Sequence, residues 1–237
     1  MILTMDIGNT NTNIGIYSKN KLIKKYYYPG NFDNDIKIIN RIYIVSVNPD
    51  NLRKVLMHLA KNFYKGAIQV IGKDIKVPIK SNYNIKEIGQ DRLVTAYAAK
   101  ELYKEPVLII DFGTAVTFDV VTKEGIYDGG LIFPGIKMSL QSLNRNTVLL
   151  PEVELVKVDT FIGRNTKTSI RSGIIHGYVS ICEAMIKKFK KEYPGIKTVV
   201  TGGNATFLSH YTTSLRNINE NLCLEGLRLL AIKQEEC

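Results

Sequence analysis

Asp111-Phe-Gly-Thr-Ala115, preceded by the apolar run Val107-Leu-Ile-Ile110 and followed by alternating Val116, Phe118 and Val120, repeats an arrangement found 105 residues earlier. There Ile2 to Met5 runs into Asp6-Ile7-Gly8-Asn9-Thr10, and Ile14, Ile16 and Tyr17 resume a strand pattern. Each copy reads as a strand, a tight polar turn and a second strand. The turn has a physical logic. Glycine lets the backbone fold back, successive amide N–H groups and threonine hydroxyls point at phosphate oxygens, and the aspartate faces a cation. One Asp-x-Gly is chiefly a turn signal. Two copies in matching contexts predict a pair of phosphate-gripping turns.

A second feature also recurs. Ile42-Tyr-Ile-Val-Ser-Val47 leads through Asn48-Pro49 into a helical stretch, Asp50 to Phe63, and Thr198-Val-Val200 leads through Thr201-Gly202-Gly203-Asn204 into another. Proline suits the first turn of a helix. Each half is therefore a turn-bearing hairpin followed later by a strand that feeds a helix, and two such halves facing each other would form a cleft. The expected architecture is α/β, with an N-terminal half over residues 1–105 and a C-terminal half over 106–237. Between the repeats, Gly89 to Tyr103 has helical periodicity, with Asp91 in the favoured capping region and Leu93, Val94, Tyr97 and Leu102 as apolar positions. Arg171 to Tyr193 predicts a longer helix with Ile174, Ile175, Tyr178, Ile181, Cys182, Met185, Ile186 and Phe189 on its buried side. Gly173 and Gly177 would permit close helix approach, within the chain or between subunits.

The chain has 237 residues, 45% of them hydrophobic and 23% charged, the profile of an ordinary globular protein with a sizeable core. No apolar run is long enough for a membrane span, and the first carboxylate, Asp6, falls where a signal sequence would need its apolar core. The net charge of +10 invites a nucleic-acid reading. Lysine outnumbers arginine 24 to 8, however, and the densest basic run, Lys187-Lys188-Phe189-Lys190-Lys191, falls on the solvent side of a helix. Positive charge also recruits anionic small molecules, so neither a nucleic-acid nor a membrane partner is expected. Cys182, Cys223 and Cys237 are odd in number and form no CxxC pair, and His58, His176 and His210 are scattered. That usage fits a reducing cytoplasm without a zinc site.

Gly130-Leu-Ile-Phe-Pro-Gly135-Ile136-Lys137 imitates a Walker loop, but the lysine comes one residue late, no Ser or Thr follows it directly, and Pro134 removes an N–H that a phosphate cradle needs. Thr201-Gly202-Gly203-Asn204, at a strand-to-helix turn, lacks side chains where a flat adenosine could approach the backbone.

Asp6-Ile7-Gly8-Asn9-Thr10-Asn11-Thr12-Asn13, Gly89-Gln90-Asp91-Arg92, Asp111-Phe-Gly-Thr-Ala115, Gly129-Gly130 through Pro134-Gly135, Asn165-Thr166 with Ser172-Gly173, and Thr201-Gly-Gly203 together resemble type III pantothenate kinase. Their order and spacing match over nearly the whole chain. The resemblance implies the duplicated actin-like, ribonuclease H-like fold of the acetate and sugar kinase, Hsp70 and actin superfamily, with a nucleotide cleft between the halves. It implies transfer of the ATP γ-phosphate to pantothenate, the first step of coenzyme A synthesis, in a cytoplasmic homodimer that uses Mg²⁺ and a monovalent cation, K⁺ or NH₄⁺.

Residue by residue, the resemblance makes Asp6 to Asn13 the first ATP phosphate loop and Thr114 a further ATP contact, with Gly202 and Gly203 at the adenosine. Asp111 becomes the monovalent-cation ligand. Gly89, Gln90, Asp91, Arg92 and Thr166 hold pantothenate, and Asp91 is the proton acceptor. Tyr83 best matches a family tyrosine upstream of Gly-x-Asp-Arg. Two departures stand out: Gln90 replaces a small or apolar residue, and no proline follows Tyr83. The same superfamily also contains kinases of other small alcohols, and the family includes a non-catalytic regulatory relative; intact Asp6, Asp91 and Asp111 favour the enzyme.

Overall fold

The computed structural model describes residues 1–29, 32–61 and 66–235, and Cα packing divides the chain into two units. The first unit holds residues 1–104, 125–127 and the segment from Asn221 onward; the second holds Glu105–Glu124 and Asp128–Glu220.

In the first unit, Ile2–Ile7 (β1) and Thr12–Ser18 (β2) form the expected hairpin, extended by Lys21–Tyr27 (β3). After a short helix, Asp33–Ile36 (α1), Arg41–Ser46 (β4) lies parallel to β1, pairing Asp6 with Val45 and Ile7 with Ser46. Pro49–Lys61 (α2) opens on its proline as expected; the end of the anticipated stretch, Phe63, lies outside the described residues. Ala67–Val70 (β5) completes the order β3-β2-β1-β4-β5. β1 is central and nearly continuously apolar because both faces are covered. Leu3, Met5 and Ile7 pack with Ile14, Ile42, Ile44, Val55 and Leu59. The opposite face carries Tyr17 and Tyr43, whose hydroxyls donate to Glu225 Oε1 (3.4 Å) and Gln234 Oε1 (3.3 Å).

Lys80–Ser81 (β6) pairs in parallel with Ile126 and Tyr127 within this unit, and Gln90–Tyr103 (α3) follows. Leu93 to Ala99 of α3 are buried without a break, a helix enclosed on all sides. Leu102 departs from expectation and is 41% exposed. The partner of α3 is the chain's last helix, Leu222–Glu235 (α7), where Gly226 lies so close to Val94 that a Cβ would overlap the Val94 carbonyl oxygen. Chain order had put residues 106–237 together. The packing assigns α7 to the first unit instead, because its leucine face and Gly226 find their complement on α3 and β1.

In the second unit, Val107–Phe112 (β7) and Ala115–Val121 (β8) form the second hairpin, and Lys197–Thr201 (β10) runs parallel to β7, pairing Thr201 with Asp111. The strands run β10-β7-β8-β9, where β9 is Ile126–Pro134. Ile136–Arg145 (α4), Thr166–Glu192 (α5) and Ala205–Ser209 (α6) supply the helices, with a 3-10 turn at Thr213–Leu215. The core gathers Leu108, Ile110, Phe112, Phe118, Ile175, Tyr178, Cys182 and Ile186. The helix α5 begins five residues before the expected Arg171, since Asn165 and Thr168 form a capping box. Among the described residues a Cβ at Gly173 or Gly177 would meet nothing within 4 Å, so neither glycine serves close packing there. The run Lys187 to Lys191 is exposed at its lysines, a solvated face. No helix of the described residues is long and apolar enough to cross a membrane.

Candidate active site

Both aspartates of the repeated turns are the penultimate residues of their strands, and the apolar residues after them, Ile7 and Phe112, are buried. Strand alternation therefore sends Asp6 and Asp111 to the other face, at the carboxyl ends where α/β sheets bind ligands.

In the first turn Gly8 N–H donates to Asn11 O (2.9 Å), closing Gly8 to Asn11 into a loop with Asn9, Thr10 and Asn11 exposed. Asn48 Nδ2 donates to Asn9 Oδ1 (3.3 Å), and Asn51 Nδ2 reaches Gly8 O (3.5 Å). Asn48 also opens α2, its Oδ1 accepting from Asn51 N–H (3.0 Å). Asp6 Oδ2 accepts from Asn13 Nδ2 at 3.4 Å. The Asp6 carboxyl is pushed from 3.8 up to about 6, first by burial and then by the charge of Asp91, with the Asn13 bond opposing. The turn and the Gly-Gln-Asp-Arg stretch therefore share one electrostatic field.

That stretch opens α3. Its N-cap is Gly89, with Asp91 one residue into the helix, so Asp91 is not the cap that its position suggested. Asp91 Oδ1 instead accepts from Arg92 N–H (2.8 Å), and a Cβ at Gly89 would stand 2.5 Å from that oxygen. A side chain at residue 89 would displace the carboxylate from this position. The Gln90 side chain lies against Gly72, where a Cβ would fall 2.9 Å from Gln90 Cδ.

Arg92 and the Tyr83 segment meet on a residue that no sequence motif marks. The Arg92 guanidinium lies 5.9 Å over the ring of fully buried Tyr127, and Asn82 N–H donates to Tyr127 O (2.9 Å). Tyr83 itself is 45% exposed, its N–H bonded to Ser81 Oγ (3.0 Å).

The second turn is built by close approach. Gly202, at φ +89°, is pressed onto it: a Cβ there would overlap Asp111 Oδ1 and stand 2.6 Å from Phe112 N. Asn204 N–H donates to Phe112 O (3.4 Å). On another side a Cβ at Gly135 would overlap the Thr114 carbonyl oxygen and fall 2.9 Å from Gly113 O. Gly203 has open space where its Cβ would be. Thr166 is exposed on the first turn of α5, and the capping is done by Asn165, whose Oδ1 accepts from Thr168 N–H (3.0 Å).

Chemically, each turn offers backbone N–H groups and one carboxylate, a set suited to a phosphate chain with its counter-ions. Glycine at 202 leaves the space that Asp111 Oδ1 occupies, and a carboxylate oxygen is the donor type that a hard cation takes. No group of three His, Cys, Asp or Glu among the described residues could hold a metal alone.

Comparison with known proteins agrees with this geometry. The family model for type III pantothenate kinase matches residues 2–188. A type III pantothenate kinase of Sulfurihydrogenibium sp. (strain YO3AOP1) is 38% identical, covering 97% of this chain and 99% of that protein. Among solved structures, a protein assigned to the Baf family of transcriptional activators from Campylobacter jejuni superposes with a TM-score of 0.64 at 22% identity, covering 99% of this chain and 100% of that one. One assigned as a 2-dehydro-3-deoxygalactonokinase from Sinorhizobium meliloti gives 0.58 at 11% identity, covering 99% of each chain, a likeness of fold. Two α/β units that each repeat an Asp-x-Gly turn, with a Gly-Gln-Asp-Arg stretch beside the first, thus coincide with a family match over most of the sequence: the chain belongs to the type III pantothenate kinase family.

Proposed function

We propose that the protein transfers the γ-phosphoryl group of ATP to the primary hydroxyl of pantothenate, giving 4′-phosphopantothenate. The observation that carries this reading is that the first phosphate turn, with Asp6, and the Gly-Gln-Asp-Arg substrate motif, with Asp91, belong to one unit of a chain that the type III pantothenate kinase family model matches over residues 2–188. Donor and acceptor sites must adjoin for an in-line transfer, and these two carboxylates feel each other's charge.

The first turn, Asp6 to Asn13, holds phosphate oxygens through its N–H groups and hydroxyls; Thr114 adds a contact, and Gly202 with the open Gly203 borders the adenosine. Gly89, Gln90, Arg92, Tyr83 and Thr166 hold pantothenate, with Arg92 meeting its carboxylate. Asp91, oriented through the Arg92 N–H bond, accepts the hydroxyl proton. In a loose phosphoryl transfer this proton leaves late, so positioning and charge neutralisation dominate. Asp6 would face the Mg²⁺ that comes with the nucleotide, which would supply neutralisation of phosphate charge, and Asp111 would hold K⁺ or NH₄⁺. The functional unit is a cytoplasmic homodimer. Exposed Phe161 (73%), Ile162 (68%), Val148 (99%) and Leu149 (88%) in the second unit support it, as does the open ground beside Gly173 and Gly177.

The test is ATP consumption with pantothenate and with a panel of other small alcohols, in K⁺, NH₄⁺ or Na⁺ alone. Turnover confined to pantothenate and stimulated by K⁺ or NH₄⁺ is expected. Preference for another alcohol would reassign the acceptor, and absence of turnover with every acceptor would point to a regulatory relative.

A further inference from the structure

The hydroxyl of Tyr178, on α5, is 7% exposed at the residue level and sits at a junction that the phosphate-site motifs do not include. It donates to Pro134 O at 2.6 Å, while Ser139 Oγ lies 2.8 Å from it. Pro134 ends β9 and Ser139 is in the first turn of α4, whose Ser139 N–H donates to Gly135 O (2.9 Å). One hydroxyl therefore ties both sides of the strand-to-helix corner at Gly135. That corner is the one pressed on Gly113 and Thr114, with no room for even a methyl group between them.

We infer that Tyr178 is a positioning residue for the second phosphate turn, setting through Pro134 and Gly135 where Thr114 stands when ATP binds. The argument rests on the kinase reading only for what occupies the turn; the geometric chain from Tyr178 to Thr114 is independent of the acceptor. Two features give it direction. Pro134 has no N–H, so its carbonyl is its own one backbone hydrogen-bonding group, and proline fixes its own φ. Closely packed backbone also transmits small displacements, because it has no void to absorb them. A corner released by loss of the hydroxyl would therefore shift Thr114 relative to the nucleotide, and positioning errors well under a hydrogen-bond length are felt in transfer reactions.

The test is Tyr178→Phe, which removes one oxygen and keeps the ring in the core, with Tyr193→Phe as a matched control. Tyr193 ends the same helix, and its hydroxyl donates to Asp128 Oδ2 (2.7 Å), away from the corner's bonds. Direct titration with ATP and steady-state kinetics are read together. Tyr178→Phe is expected to weaken ATP binding and raise KM for ATP about fivefold, the effect of one ordinary hydrogen bond. KM for pantothenate and the melting temperature should stay near wild type, and Tyr193→Phe should leave KM for ATP unchanged. ATP affinity unchanged in Tyr178→Phe would overturn the inference. So would equal losses for both substrates accompanied by a large fall in melting temperature, the mark of a merely structural tyrosine. If the wild type binds ATP but does not phosphorylate pantothenate, the acceptor assignment fails while the titration still decides the role of Tyr178.

Discussion

Replacing Asp6 by asparagine should abolish most activity and yet stabilise the protein, by an amount that depends on pH. Burial and the Asp91 charge raise the Asp6 carboxyl from 3.8 to about 6. A carboxyl raised on folding contributes stability that is fully present below its unfolded value and is lost as pH rises through its folded value. For Asp6 that window runs from about 4 to about 7. At roughly 1.4 kcal/mol per unit, the ionised carboxylate costs the empty protein about 3 kcal/mol at neutral pH. Asparagine removes the charge and keeps an oxygen for the Asn13 amide. Relative to wild type, the variant should gain about 2 kcal/mol between about pH 4.5 and about pH 7.5, the part of the titration that falls within that interval.

Urea unfolding of both proteins in EDTA, without nucleotide, measures the difference at a series of pH values. The second cause of the shift supplies an internal check: in an Asp91→Asn background the pH-dependent gain should shrink, because the repelling charge is gone, but persist, because burial is the leading cause. A stability difference that stays flat from about pH 4.5 to about pH 7.5 would refute the reasoning, since Asp6 would then titrate alike in the folded and unfolded chain.

Asp91→Asn should lower turnover about 100-fold or more with melting unchanged, because Gly89 is the N-cap of α3 and the amide oxygen can still accept from Arg92 N–H; full activity would remove Asp91 from proton transfer. Gly202→Ala and Gly203→Ala should separate sharply. The first needs φ +89° and overlaps Asp111, so it should lose about 2–4 kcal/mol of unfolding free energy, whereas the second has open space and should fold normally with weaker ATP binding. Equal stability of the two would contradict the packing at the second turn. Cys182 is a fully buried free thiol, pushed up to about 12 chiefly by burial, so a thiol reagent at neutral pH should label it only at the rate of unfolding. Rapid labelling in the native state would show that α5 opens locally.

The features legible in the sequence were those that local chemistry decides. Strand alternation and Asp-x-Gly spacing located both hairpins, and Pro49 marked the start of α2. What escaped depends on contacts between distant segments. The glycine at 89 looked like a motif letter, and only the structure shows that Asp91 Oδ1 occupies the space of its missing side chain. Nothing in the local sequence marks Tyr127, because the Arg92 guanidinium above its ring comes from a distant segment. The last helix was placed by chain order, which carries no information about which leucine face finds a partner.

The second repeat acquires its physical meaning from the same contacts. Each half has a strand that feeds a helix, and in each the strand lies parallel to the hairpin's first strand, β4 on β1 and β10 on β7. Such a neighbour delivers its following corner to the end of the adjacent strand, where the Asp-x-Gly turn begins. In the first unit that corner supplies the amides of Asn48 and Asn51, which grip Asn9 and Gly8 by hydrogen bonds. In the second it supplies Gly202, which grips by close approach, and Asn204, whose N–H reaches Phe112 O. The two turns are thus braced from the same topological position by different chemistry. Side-chain amides can be exchanged for other hydrogen-bonding groups, but a glycine pressed against backbone has no substitute. A damaged first turn should therefore be recoverable by a second-site change at Asn48 or Asn51, and a Gly202 substitution should have no such suppressor among its neighbours.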